Sequence, residues 1–420
     1  MYILLKNLYS FMTTVILPFI LLLKLIKKSL SVQRLKDLLG RTSLKLDRSI
    51  WFHCVSVGET IALKPLLLAI TKEKPETSIV VTNTTINGRK IAEKIFISQK
   101  NINFCFFPFD LETFFYSFIK RINPIICILL EKEIWPNLLF ICRKFSVPVI
   151  LNNGILSERS FRRYRCIIYF TKFMINQINY IAVQTLKDKE NFLSLGFKKN
   201  NIVITGNIKH HIQIERKTIL RINLIKKNLQ NSFIWIAASI NREEEDIILQ
   251  VHKKLKDRFP KSSLIIAPRN IKRCKSINTI IYNKYRFTST SDVRGLTEVD
   301  VYVHSYIGDM LTLYGVSDIS FIGKSIFPQK SGGHNPLEPA SLKKPILTGP
   351  NFCNFRKIFE DLKIKNGVKI VNNAEKMFSE ITYLVQNKNY RNILGENAYK
   401  YFLDNQGALQ KQLKIIKKFL

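Results

Sequence analysis

Two successive open α/β domains, each built on a parallel sheet, are the fold that the sequence predicts, and three observations carry it. Short apolar strands alternate with helical stretches of similar size, which implies a parallel sheet covered on both faces. The pattern stops at a basic, strand-poor segment, 216–230, and then restarts. Glycine-containing turns stand where strands give way to helices, the end of such sheets at which ligands bind. At 420 residues the chain accommodates two domains with full cores, and 46% hydrophobic with 23% charged content describes a folded chain.

The elements follow in order. From Asn7 to Leu23 no residue is charged, and Leu, Ile, Phe and Val dominate. The run is slightly short for a bilayer span and is interrupted by Pro18. Lys24, Lys27, Lys28, Arg34 and Lys36 follow it, a basic flank that puts the rest of the chain on the cytoplasmic side. Residues 1–30 are therefore expected to be an uncleaved membrane anchor, single-pass or embedded in one leaflet; a buried helix of the first domain is the alternative. The first domain, 31–215, has strands at 49–57, 78–82, 125–130, 147–151, 180–183 and 202–205, with a helix at 61–74. After the interdomain connection, 216–230, the second domain at 231–395 has strands at 233–238, 264–267, 300–304, 319–323, 345–348 and 368–371. Its helices fall at 243–259, 310–316 and 355–365. A last helical stretch from 374 has a weak break near Gly395, so 396–420 are expected as a C-terminal helix.

Charge and composition narrow the partners. The net charge of +35 favours a polyanion: nucleic acid, an anionic membrane face or a phosphorylated lipid. A nucleic-acid binder would interleave basic and aromatic residues on one element, whereas these lysines are scattered through every segment. The seven cysteines form no CxxC pair, which suits buried thiols in a reducing compartment. None of the six histidines has a metal-ligand spacing, so no zinc is expected.

The chemistry centres on residues 331–340, SGGHNPLEPA. Two glycines permit a tight turn and close ligand approach, and Asn335 and Pro336 are helix-start residues. A strand, a glycine turn and a helix start together suggest an anion site. Glu338 beside it suits the acceptance of ribose hydroxyls, the use an acid has in dinucleotide folds; an acid that merely favours the helix start is the bland alternative. Glu59 follows the first strand and a glycine, a place for a general base. Glu131 ends the buried run ICILL, and polar and basic residues crowd 152–164, enough to hold an anionic substrate. Gly206, Asn207 and Lys209 close the first domain. In the second, Ser239, Pro268-Arg269 and Ile307-Gly308-Asp309 occupy strand-end turns.

The runs HCVSVGET, LLEKEIWPN, NNGILSERS, GNIKH, AAS, APRN and GGHNPLEPA occur in that order across nearly the whole chain. In them the sequence resembles the 3-deoxy-D-manno-octulosonic acid (Kdo) transferase family of lipopolysaccharide synthesis. The resemblance implies a GT-B fold, two Rossmann-like domains facing a central cleft behind an N-terminal anchor. It implies CMP-Kdo as donor and a lipid A precursor (lipid IVA) as acceptor, with no metal and no cofactor. It also implies a location on the cytoplasmic face of the inner membrane. By the same resemblance Glu59 is the proton acceptor, Glu131 and Lys209 stabilise the transition state, and Pro268, Arg269, Ile307, Gly308, Asp309, Asn335, Pro336, Leu337 and Glu338 bind CMP. Three departures touch the donor segments: Ile240-Asn241-Arg242 replaces a Thr-His stretch after AAS, Asn270 replaces a histidine after PR, and Ser305-Tyr306 replaces an acidic DT. A GT-B transferase with another nucleotide sugar is the alternative, and a basic nucleic-acid-binding protein the remote one.

Overall fold

Runs of Ile, Val, Leu and Phe with both neighbours apolar can be buried only in a sheet covered on both faces, and the chain makes two of these. The computed structural model describes residues 2–26, 31–229, 233–290, 299–306, 308–328 and 332–420. It divides into two units, Met1–His211 with Gln406–Leu420, and Ile212–Asn405.

In the first unit the strands are β1 (Ser49–Cys54), β2 (Ser78–Asn83), β3 (Ile102–Phe106), β4 (Pro124–Leu130), β5 (Val149–Gly154), β6 (Tyr180–Val183) and β7 (Ile202–Ile204). Their order is β3-β2-β1-β4-β5-β6-β7, with every pairing parallel. Alternate residues feed opposite faces. Trp51 enters the cluster with Phe115, Phe118 and Leu138, while Ile50 and Phe52 join Leu63, Leu66 and Leu67. The order of the strands reverses between β1 and β4, so their carboxyl ends flank the switch point where ligands bind in such sheets. Edge strand β3 escaped the sequence reading because INFCF is short and mixes polar with apolar residues.

The second unit repeats the plan with β8 (Phe233–Ile240), β9 (Ser262–Pro268), β10 (Phe287–Thr290), β11 (Val301–His304), β12 (Ile319–Ile322), β13 (Ile346–Thr348) and β14 (Val368–Ile370). The order is β10-β11-β9-β8-β12-β13-β14, again parallel throughout. Here the switch lies between β8 and β12. Segment 216–230 contains the helix Arg216–Asn228, whose Ile222 and Ile225 pack into the core of this second unit. Gly315 admits it: a Cβ there would lie 2.2 Å from Ile222 Cδ1.

The last stretch breaks elsewhere than at Gly395. The helix Lys388–Asp404 runs through that glycine, which is needed because a Cβ would stand 2.1 Å from the Lys343 carbonyl. The real stop is Asn405 to Gly407, where Gly407 takes φ 86°. The final helix, Ala408–Ile416, belongs to the first unit, where Leu409, Ile415 and Ile416 join the core and Asn152 Nδ2 donates to buried Gln412 Oε1 at 2.9 Å.

At the other terminus a helix runs Tyr2–Ile26. Its early residues are tied to the first unit: Lys6 pairs with Glu112 at 2.5 Å, Tyr9 donates to Asp110 at 2.7 Å, and Ser10 donates to Asn137 Oδ1 at 2.6 Å. Leu4, Leu8, Phe11, Met12, Val15 and Ile16 point away and are exposed. Among the described residues no helix is long and apolar enough to cross a membrane.

Because Ile416 is fully buried in the first unit's core, Ile416→Ala should cost about 2–4 kcal/mol in urea unfolding. Ile393→Ala, at an exposed position of the preceding helix, should change stability by less than about 0.5 kcal/mol.

Candidate active site

The first unit's candidate site grows from the end of β1. Ser56 caps the helix Val57–Glu73, which starts four residues earlier in the chain than the expected 61, and this puts Glu59 in the first turn. Its carboxylate is held from both sides: Val55 N donates to Oε2 at 2.7 Å and Ser56 Oγ to Oε1 at 2.9 Å. Burial raises the Glu59 pKa and the nearby Glu131 charge adds to this, while the Val55 and Ser56 bonds and Lys209 oppose it. The helix-capping role and the base role are therefore compatible, since each oxygen keeps a further lone pair.

Glu131 leaves the end of β4 with φ 60°, a left-handed conformation that costs energy for a residue with a Cβ and is common at functional sites. Its Oε1 takes the Lys209 ammonium at 2.6 Å. Lys209 sits in a short 3-10 turn, Ile208–His210, with its own N–H donating to Asn207 Oδ1 at 2.9 Å. Glu59, Glu131 and Lys209 thus form one interacting cluster. Within 152–164 the residues have separate tasks: Asn153 Oδ1 accepts Ile208 N at 3.0 Å, while Glu158 pairs with Lys187 on the surface. Glu133, from the same run as Glu131, was not singled out in the sequence. It is buried, accepts from Trp135 Nε1 at 2.9 Å, and has its pKa raised to about 7 by burial and by the Glu59 and Glu131 charges.

The second unit's candidate site surrounds the turn after β12. Gly332 and Gly333 are required, but by the fold: a Cβ on Gly332 would meet the Asn351 carbonyl at 2.3 Å, and Gly333 takes φ 76° against Phe352. The helix that follows, Leu337–Ser341, is a single turn. A macrodipole grows with aligned peptides, so the expected attraction of a helix start for anions is weak here. The polar and charged groups around the turn are side chains. His334 Nε2 is buried and has no hydrogen-bond partner among the described residues, and its pKa falls to about 4 through burial, aided by the Arg269 and Lys324 charges. Glu338, largely buried, has its pKa raised to about 7 by burial, and Asn335 Oδ1 accepts Leu337 N at 3.1 Å.

Other donor-segment residues have traceable places. Pro268 ends β9 and Arg269 N donates to Ile240 O at 2.9 Å. Asp309, at φ 62°, pairs with Arg221 at 2.8 Å, and the Gly308 carbonyl faces His304 Nε2 at 3.0 Å. Ile307 and Ser331 lie outside the described residues. Two departures have become helix and turn caps. Asn241 begins the helix Arg242–Arg258, and Asn270 Oδ1 accepts Lys272 N at 3.1 Å.

Sequence reasoning missed Glu244. In REEED it reads as one of several acids decorating a helix start, yet its side chain is fully buried and accepts four backbone N–H groups. Asn241 N and Lys324 N donate to Oε2 at 3.2 and 2.6 Å, and Ser325 N and Ile326 N to Oε1 at 2.8 and 3.1 Å. This one carboxylate fastens the turn after β12 to the helix after β8.

Two parallel α/β units with polar clusters at their strand ends have the GT-B architecture. Solved structures share this fold at low identity. The UDP-GlcNAc 2-epimerase of Neisseria meningitidis bound to UDP-GlcNAc has a TM-score of 0.57 and 14% identity over 89% of this chain and 99% of that one. A glycosyltransferase from Rickettsia africae has a TM-score of 0.54 and 15% identity over 89% and 98%. Residues 221–401 match the model of the glycosyl transferases group 1, and the chain is a glycosyltransferase. Residues 32–212 match the 3-deoxy-D-manno-octulosonic-acid transferase (kdotransferase) model. The 3-deoxy-D-manno-octulosonic acid transferase of Haemophilus influenzae is 33% identical over 91% of this chain and 89% of its own length, and that of Rickettsia felis 29% over 88% and 79%. The chain belongs to the Kdo transferase family.

Removing the Glu244 carboxylate leaves buried backbone donors unpaired, a penalty of about 3 kcal/mol or more. Glu244→Ala should therefore unfold the second unit at markedly lower denaturant, and Glu243→Ala, its neighbour in the same acidic run, should not; hydrogen exchange at Lys324 to Ile326 is the check.

Proposed function

We propose that this chain transfers Kdo from CMP-Kdo to a lipid A precursor of the lipid IVA type, releasing CMP with inversion at the anomeric carbon. The observation that carries the reading is the cluster of Glu59, Glu131 and Lys209 in a member of this family. Glu59 takes the proton of the acceptor's primary hydroxyl as that oxygen attacks the anomeric carbon. Burial and the Glu131 charge raise its pKa, which makes it a stronger base once ionised. Loss of CMP leaves oxocarbenium character on the sugar, which the Glu131 carboxylate favours, with Lys209 fixing its orientation.

On the donor side Arg269, Lys324 and His334 form a positive and hydrogen-bonding set suited to a phosphate. Glu338 accepts the ribose hydroxyls, and Pro268, Gly308, Asp309, Asn335, Pro336 and Leu337 shape the nucleotide's bed. Ile307 keeps that role in the proposal by its place in the motif. Protein cations serve the leaving phosphate, so the reaction is proposed to need no metal.

The proposed location is the cytoplasmic face of the inner membrane. The helix Tyr2–Ile26 is bonded to the first unit at Lys6, Tyr9 and Ser10, and the next helix, Val32–Leu38, is bonded to the same unit at Asp37, whose Oδ2 accepts Phe106 N at 3.0 Å. Both ends of the segment are thus on one side, which supports embedding in one leaflet over spanning. The exposed stripe Leu4, Leu8, Phe11, Met12 and Val15 is the face that would enter it, and the excess of lysine and arginine suits anionic headgroups.

A transfer assay tests the chemistry: CMP-Kdo formed beforehand, EDTA added, then tetraacylated lipid A precursor and enzyme, with products weighed by mass spectrometry. Addition of one or more Kdo units is expected. Glu59→Ala should lower turnover by about 10²–10⁴ with CMP binding intact, and Glu338→Ala should weaken CMP about tenfold or more. Wild-type turnover by the first variant would remove Glu59 from the base role, and an unchanged CMP affinity in the second would remove the ribose role. Replacing Leu8 and Phe11 together by Asp should release the protein from vesicles containing anionic phospholipid; retained binding would dismiss the stripe as the membrane face.

A further inference from the structure

His53 and Glu133 are buried titratable groups that the proposed reaction does not use. His53 sits on β1, its ring stacked on Phe107 with centroids 3.6 Å apart. Its Nδ1 is 3.0 Å from Thr82 Oγ1 and 3.2 Å from the Thr82 carbonyl. The Thr82 hydroxyl already donates to Phe52 O and accepts from Trp51 Nε1, and a carbonyl can only accept. Nδ1 must therefore carry the ring proton, which leaves a lone pair on Nε2. That atom has no hydrogen-bond partner among the described residues and faces Glu133 Oε2 at 3.9 Å, a gap that a small carboxyl shift closes.

An ionised Glu133 would set a charge against that lone pair, whereas a protonated one can donate to it. Every group acting on Glu133 favours or tolerates the neutral acid except two. Glu59 from the helix after β1 and Glu131 from its own loop repel its charge; the Trp135 indole N–H and Lys132 favour it. Tyr164, from the helix Glu158–Cys166, also senses the Glu133 charge. His53 is buried and neutral, its pKa lowered to about 3 by desolvation.

We propose that Glu133 is a positioning residue that shares one proton with His53, and that this shared proton fastens the Glu131–Glu133 loop to β1 so that Glu131 stays on Lys209. The bond is Glu133 O–H to His53 Nε2. No proton leaves the pair during transfer, and raising the pH passes it to solvent and frees the loop. The loop is short and strained at Glu131, so a fixed Glu133 two residues on limits where the Glu131 carboxylate points.

The test is long-range ¹H–¹⁵N NMR on the full chain with labelled histidine, the His53 signal assigned through its contact with the Phe107 ring. The expected spectrum shows the Nδ1–H tautomer, with an Nε2 shift that moves as pH is raised through about 7. Glu133→Gln can still donate to Nε2 and accept from Trp135, so it should keep the tautomer and abolish the movement. An Nε2–H tautomer, or an equal movement in Glu133→Gln, overturns the proposal. The kinetic arm rests on the Kdo-transfer reading: wild-type kcat should fall about tenfold above pH 7, and Glu133→Gln should keep the low-pH kcat and KM and lose that fall. A persisting fall in the variant overturns the fastening role, whereas absence of transfer in both proteins at every pH, with the NMR result as expected, faults the proposed reaction and leaves the proton pair standing.

Discussion

The carboxylate of Glu59 closes the first turn of its own helix, and the first unit's site depends on that closure. Val55 N and Ser56 Oγ each donate to one of its oxygens, so the side chain is held at the end of β1 before any substrate arrives. In the proposed base role, a carboxylate fixed in this way would need no reorganisation when the reaction begins. The arrangement has a cost, because hydrogen bonds to the charged form lower basicity. Burial and the neighbouring Glu131 charge offset it, and the net direction is upward. Lys209 then matters twice: it neutralises Glu131 and limits how far the pair of acids drives the Glu59 pKa.

The second unit solves a similar positioning problem with the same chemistry. Glu244 gathers four backbone N–H groups from the two segments that flank the β8/β12 switch. Parallel sheets end in loops whose backbone groups lack strand partners, and one buried carboxylate satisfies several at once. Its neighbour Gly323 has no room for a side chain, since a Cβ would lie 2.9 Å from Glu244 Oε2. The turn that carries Lys324 toward His334 is therefore set by packing and hydrogen bonding in the core.

How much of this was legible follows from what kind of signal each residue leaves. Long apolar strands such as β1 and β4 were plain, and with them the strand-end places of Glu59 and Glu131, because a buried parallel strand needs an unbroken apolar run. β3 and β10 are short edge strands with polar residues, and FTST carries no such run. Glu244 was invisible because Glu243, Glu244 and Glu245 share one chemistry, and only the fold decides which of the three points inward. Gly395 was misread, and the packing need at Gly332 was not seen, for a related reason. A glycine signals close approach without naming the partner, and here the backbone or side chain of Lys343 and Asn351 stands against each, with no break at Gly395. Asn241 and Asn270, read in the sequence as departures from the family pattern, serve as caps of a helix and a turn.

The distribution of charge around the two sites separates what composition could show from what it could not. A net charge of +35 argues for an anionic partner without locating it, and most of that charge is solvated surface lysine screened within about 10 Å at moderate salt. The positive groups nearest the candidate sites are few; Lys209 and Lys324 are partly buried and Arg269 is exposed. Lys209 is held by Glu131, and Arg269 and Lys324 act on a buried, neutral His334. Because the helix Leu337–Ser341 is one turn long, its dipole cannot replace them. Under the proposed reading, an anionic donor in this unit would be recognised mainly by side-chain cations and by His334 Nε2, which has no hydrogen-bond partner among the described residues, so its binding would depend on individual residues rather than on the motif's backbone shape.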